Sequence, residues 1–238
     1  MVLKTIIQLL CLLAAPLGSG CVPDTTSPEV SAPLWYDVTG AEGTTVRVAV
    51  LRPPDEGGGP HPVIFALPWG GGTEDLVLSF LSSYWADEPA QRGYYVVSAA
   101  VRGSSLDDLA DELIPAIFEL MDAELNYDRG QVALVGASNG GRGIFHAALA
   151  YPERFRTLVG LPGQYSGDGA DLADLAGKQV RLLVGEQDAG WVASGQATAT
   201  ALEAQGIDTS FEIVVGQGHV LSLKAASLMN GIDLALGR

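Results

Sequence analysis

Thr45–Leu51 (TVRVAVL) alternates with a period of two, which predicts a half-buried strand stopped by Pro53 and Pro54. Apolar runs predict further strands at 62–67 (PVIFAL), 94–101 (YYVVSAAV), 131–135 (QVALV), 156–161 (RTLVGL), 180–185 (VRLLVG) and 210–215 (SFEIVV). Between them the period changes. Leu106, Leu109, Leu113, Ile117 and Leu120 form an apolar stripe at helical spacing over 105–125, and helices also fit 144–150, 192–205 and 221–236. Strands alternating with helices predict a mostly parallel sheet covered on both faces, an α/β fold in one domain over 41–238.

Two segments stand outside this pattern. Residues 1–20 combine Lys4, the apolar run from Ile6 to Ala15 and the small residues Gly18-Ser19-Gly20 before Cys21. That arrangement predicts a signal peptide, too short to cross a bilayer comfortably. It also resembles a bacterial lipoprotein signal, which would make Cys21 the lipidated first residue of an exported protein. Gly18 stands where that family usually has leucine, and the plain alternative makes Cys21 an ordinary residue near a cleavage site. Residues 21–40, rich in Pro, Ser and Thr at their start, read as a flexible tether.

Composition narrows the chemistry. The chain has 28 acidic and 13 basic residues, a formal charge of −15, which repels nucleic acids and anionic membrane surfaces. Its two cysteines, Cys11 and Cys21, both precede the domain, so the domain has no disulfide framework, thiolate metal site or cysteine nucleophile.

The chemistry concentrates where a strand meets a helix. Gly136-Ala137-Ser138-Asn139-Gly140 fits G-x-S-x-G, a sharp strained turn that lifts a serine hydroxyl above the sheet. The bland reading is a glycine-rich turn or anion-binding loop, but no G-x-x-x-x-G-K-[ST] is present. A serine nucleophile needs a base and a group to orient it, following in the order acid then histidine. Of the three histidines, His61 precedes the serine and His146 lies within the helix after it. His219 follows the last strand, where the base belongs. Glu186 and Asp188 follow the preceding strand, and Asp188, further into the loop, is favoured as the acid.

From about residue 45 onward the chain resembles the α/β-hydrolase superfamily, and within it small lid-less serine esterases such as feruloyl esterases and polyhydroxybutyrate-depolymerase-like proteins. The likeness rests on Gly136–Gly141 as nucleophile elbow, Gly185-Glu186-Gln187-Asp188 as acid loop and Gly218-His219 as histidine loop. It implies ester hydrolysis through an acyl-enzyme, with no metal and no organic cofactor. It also implies an oxyanion hole built from the N–H of Asn139 and one from the segment Trp69-Gly70-Gly71-Gly72, where the family often has H-G-G-G. With tryptophan in place of that histidine, either Trp69 or Gly70 could supply the second donor, and a plain turn is the alternative. A lid is commonly inserted after the sixth strand. Residues 163–179 have room for only a loop and a short helix, so no lid domain is expected, and an open cleft edged by Trp69, Tyr165 and Trp191 follows. Each of those aromatic residues could equally be core. The partner expected is a small-molecule or polymer ester. A serine peptidase of the same fold and a non-catalytic lipoprotein binding module are the competing readings.

Overall fold

The computed structural model describes residues 32–100 and 107–238. The predicted signal segment, Cys21, most of the predicted tether and the first residues of the predicted 105–125 stripe lie outside them.

Eight strands form one sheet in the order β1-β2-β4-β3-β5-β6-β7-β8. They are β1 (Leu34–Thr39), β2 (Thr45–Leu51), β3 (His61–Leu67), β4 (Tyr95–Ala99), β5 (Tyr127–Gly136), β6 (Thr157–Gly160), β7 (Gln179–Gly185) and β8 (Asp208–Val214). Strand β1 pairs antiparallel with β2, and β2 antiparallel with β4, while the pairings from β4 through to β8 are parallel. The helices are α1 (Glu74–Tyr84), α2 (Glu88–Gln91), α3 (Asp107–Glu124), α4 (Asn139–Ala150), α5 (Ala189–Ala204) and α6 (Ala225–Leu236).

The pleat divides the core in two. Along β5, Val132 and Leu134 face a cluster with Ile117 of α3, Phe145 of α4 and Leu202 of α5. Ala133 and Val135 face the opposite cluster, with Phe80 of α1 and Ile232 of α6. A strand buried on both faces reads as a continuous apolar run, which is why β3, β4 and the end of β5 are legible in the sequence. Helix α1 begins at a Thr73 cap, whose hydroxyl accepts the Leu76 N–H at 3.3 Å, with Glu74 and Asp75 in the favourable first turn.

One boundary moves. Leu34–Thr39, assigned to the tether, is strand β1, paired along its full length from Leu34↔Val50 to Thr39↔Thr45. Leu34–Thr39 therefore belongs to the domain rather than to the tether that the sequence suggests. The strand is an edge with one buried residue, Val38, so little in its own pattern marks it.

Successive strands leave β3 on opposite sides, β4 on one and β5 on the other. At such a switch point the loops beyond the carboxyl ends diverge and leave a crevice, the usual ligand site of an open α/β sheet. Leu67, Gly136 and Gly160 lie level at the ends of β3, β5 and β6.

Candidate active site

At the end of β5 the chain turns into α4 through Ser138, which holds φ 55°, a left-handed conformation uncommon for a residue with a side chain. Close packing of glycine backbone imposes the turn. A Cβ on Gly136 would lie 2.2 Å from the Gly140 oxygen, and one on Gly141 would lie 1.9 Å from the Pro162 oxygen. The N–H of Ala137 donates to Leu67 O at 3.1 Å and that of Ser138 to Pro162 O at 3.0 Å, so β3 and the segment after β6 hold the turn from both sides. These contacts start α4 at Asn139, five residues before the predicted 144, despite the poor helix propensity of glycine.

Ser138 occupies the N-cap position of α4, where a hydroxyl ordinarily bonds a helix N–H, but its side chain makes no such bond. It lies 2.7 Å from His219 Nε2 instead. The other ring nitrogen, Nδ1, lies 2.5 Å from Asp188 Oδ2. Asp188 is likewise the N-cap residue of α5 and likewise forgoes capping. A carboxylate only accepts, so Nδ1 carries the proton and Nε2 is left to accept one from the serine. The two helices give up caps worth roughly 1 kcal/mol each, and the freed side chains meet on one imidazole. The carboxylate is mostly buried, while the His219 side chain is 41% exposed, so a ligand can reach the ring.

Glu186, the other acid considered, has a different task. Its carboxylate accepts the N–H of Gly216 at 2.8 Å, and its own N–H donates to Val214 O. Around it the acid loop and the histidine loop are bound together. Gln187 N–H donates to Gln217 O, and the Gln187 side chain donates to Gly216 O at 3.1 Å. Gly185 permits this approach, because a Cβ there would lie 2.1 Å from Gly218 O. Gln217 closes the histidine loop with both ends of its amide, accepting from Ser222 N–H at 2.6 Å and donating to Ser222 O at 3.1 Å. The buried Tyr84 hydroxyl bridges the same loop to the end of β6, accepting from Leu221 N–H and donating to Leu161 O. Burial pushes its pKa up to about 12, so it remains a neutral hydroxyl able to do both. Sequence reasoning missed Gln217 and Tyr84, whose contacts reach across five and more than seventy residues.

The roles of the two acids give a direct expectation. Asp188→Asn, which favours the wrong histidine tautomer, should lower kcat by roughly 10⁴-fold. Glu186→Gln retains an oxygen for the Gly216 N–H and should cost less than about tenfold. Steady-state kinetics of both variants on one ester would check this, and a larger loss in Glu186→Gln would reverse the assignment.

Facing the serine, the loop after β3 has Gly70 at φ 70° and Gly72 at φ 63°, so glycine suits both places. The Asn139 side-chain amide donates to Gly70 O at 3.1 Å, tying the residue after the serine to this loop. The first N–H groups of a helix have no partner within it, so the start of α4 offers donors to an anion. The predicted oxyanion segments, Asn139 and Trp69-Gly70, thus lie together beside Ser138.

The three rim aromatics separate. Trp191 stands against His219, with ring centres 5.4 Å apart. Trp69 packs edge-on against Phe80 and Tyr84 at 5.4 and 5.9 Å. Tyr165 packs on Phe145 at 5.8 Å and donates its hydroxyl to Asp171. Among the remaining histidines, Nδ1 of His61 bonds Gly93 O, and His146 lies in α4. Between β6 and β7 the connection holds one short 3-10 turn, Asp171–Leu175. Among the described residues no group of three or more His, Cys, Asp or Glu could hold a metal ion.

No family model matches the sequence, and no curated protein does. Solved structures match over most of the chain. A thermostable esterase superposes with a TM-score of 0.72 at 16% identity, covering 87% of this chain and 63% of that one. A ferulic acid esterase from the anaerobic fungus Anaeromyces mucronatus superposes with 0.66 at 19% identity, covering 90% and 94%. A puromycin-hydrolyzing peptidase from Mycobacterium tuberculosis superposes with 0.61 at 19% identity, covering 86% and 39%. The chain thus spans less than two thirds of the thermostable esterase and of the peptidase. It has the α/β-hydrolase fold, with the mixed, mostly parallel sheet and two helical faces that the sequence predicts. Esterase and peptidase neighbours share that fold, so the fold alone does not select the substrate.

Proposed function

We propose that the protein is a serine hydrolase of carboxylic esters, acting through Ser138, His219 and Asp188. The observation that carries the reading is the unbroken line of contacts from Asp188 through both His219 nitrogens to Ser138, at 2.5 and 2.7 Å. His219 takes the hydroxyl proton as Ser138 Oγ bonds to the ester carbonyl carbon. Asp188 stabilises the imidazolium, and N–H donors from Asn139 and from Trp69 or Gly70 receive the oxyanion, each worth roughly 3–4 kcal/mol. His219 then protonates the leaving alcohol oxygen. A water, deprotonated by the same ring, releases the acid and restores Ser138. The reaction calls for neither metal nor organic cofactor.

The short β6–β7 connection supports substrates that are not engulfed: short acyl, aryl or polymer-end esters. Hydrolysis of para-nitrophenyl esters of increasing chain length should be fastest at about four acyl carbons or fewer, with no activation at an oil–water interface. Rates that climb toward long chains would instead mean a lipase groove, and cleavage of peptides but not esters would favour the peptidase. Export, with a lipid on Cys21, is proposed on the Lys4 start, the apolar core and the small residues before that cysteine.

A further inference from the structure

Arg142 is the fourth residue of α4, one turn beyond Ser138, whose carbonyl accepts its N–H at 3.1 Å. A cation in the first turn opposes the helix dipole, and α4 has no acidic residue there to offset it. Helix stability therefore does not account for an arginine at this place. Nor does ion pairing: the guanidinium is exposed, and among the described residues no carboxylate pairs with it, in a chain where acids outnumber bases 28 to 13. Its contact is with the Trp191 ring, 5.0 Å from the centroid. Trp191 in turn lies 5.4 Å from the His219 ring. The contact restrains a long, exposed side chain on the ring that lies against His219.

We propose that Arg142, held on Trp191, is a specificity-determining residue that binds a carboxylate in the leaving-group half of the substrate, making the preferred substrates anionic esters. The proposal rests on the serine ester hydrolase reading of this same site. His219 returns its proton to the leaving oxygen, so the alcohol half of the ester lies over the imidazole. Trp191 lies against that imidazole, and the guanidinium against Trp191. A carboxylate on the alcohol meets a planar, fixed donor pair there. The charge of the chain as a whole repels such a substrate, which makes a local cation the more consequential for it.

The test uses para-nitrophenyl acetate and its analogue with a carboxylate ortho to the nitro group, two esters that share acyl group and chromophore. For each enzyme the quantity is the ratio of kcat/KM, anionic ester over neutral ester. Arg142→Gln should lower this ratio by about tenfold, the scale of one charge-assisted contact at a solvent-accessible site. Arg142→Lys, which keeps the charge but loses the planar guanidinium fork, should fall between. The Gln variant removes a cation from the positive end of a helix, so its Tm should not drop. An unchanged ratio in Arg142→Gln overturns the proposal. Calorimetric titration with the carboxylated nitrophenol provides a readout that does not need turnover. Its affinity should fall about tenfold in Arg142→Gln, and equal affinity, or no binding to the unsubstituted protein, also overturns the proposal. Cleavage of neither ester, with Arg142-dependent binding intact, would instead refute the hydrolase reading and leave the carboxylate site standing.

Discussion

Ser138→Ala should abolish ester hydrolysis, with a loss of roughly 10⁶-fold in kcat, the scale expected when a triad serine is removed. Alanine has no atom that can bond to the carbonyl carbon, and the residual rate then comes from the oxyanion donors and binding alone. The fold should survive. Alanine carries the same Cβ at φ 55°, so the turn is no more strained than before, and α4 loses no cap because the hydroxyl does not serve as one. Thermal melting should shift by no more than a few degrees, while the fluorophosphonate label taken up by the unsubstituted protein disappears. Near-native turnover in a properly folded Ser138→Ala would remove the nucleophile from the mechanism. Loss of turnover with loss of folding would be a different result, and the melting curve distinguishes the two.

The parts of this site that could be read from the sequence are those that strand ends fix. Ser138, Asp188 and His219 follow β5, β7 and β8, and parallel strands deliver their carboxyl ends to one edge of the sheet. Once the strands are legible as apolar runs, the order of the three residues along the chain is enough to bring them together. Helix α1 also has a local start signal, Thr73 followed by Glu74 and Asp75, which lies outside the strand pattern. Strand β1 had almost none. Its burial comes from pairing with β2, a partner that only the fold supplies, and Pro33 just before it suggests a linker. The same distinction separates the site residues. Trp191 was expected near the cleft and stands beside His219. Arg142, Gln217 and Tyr84 contact neighbours that chain spacing does not reveal. Trp69 has a local signal pointing to the oxyanion segment, yet its ring belongs to the aromatic cluster of α1. Glu186 and Asp188 are two residues apart and chemically alike, and only the position of the histidine loop assigns one to the ring and the other to a backbone N–H.

Gly140→Ala should be among the most damaging single-methyl changes in the protein's elbow, and it should act through folding rather than chemistry. The added Cβ would fall 2.1 Å from Leu67 O, 2.6 Å from Leu67 C and 2.7 Å from Pro68 O. All three are backbone atoms, so no side-chain rotation relieves the clash. Either α4 must withdraw from the end of β3 or the β3 end must move. If α4 withdraws, the Ala137 N–H loses Leu67 O and the adjoining Ser138 N–H is drawn from Pro162 O. If the β3 end moves, Gly70 is carried away from the Asn139 amide that holds it. Overpacking of this kind costs typically 1–3 kcal/mol where side chains can yield, and the rigid backbone here places the expected loss at or above about 3 kcal/mol. Such a loss is a large fraction of the stability of most domains. The expected result is a protein recovered mainly as aggregate, or one melting many degrees below the parent, with ester hydrolysis reduced in the folded remainder because Ser138 and the β3 loop no longer face each other. Gly71→Ala is the matched control: its Cβ would meet nothing within 4 Å, and its φ is not in the left-handed region, so folding should be retained. Chemical denaturation of the two variants measures the difference directly. If Gly140→Ala unfolds at the same denaturant concentration as Gly71→Ala, the tight apposition of α4 on β3 is not what holds the elbow, and the strained serine must be supported from elsewhere.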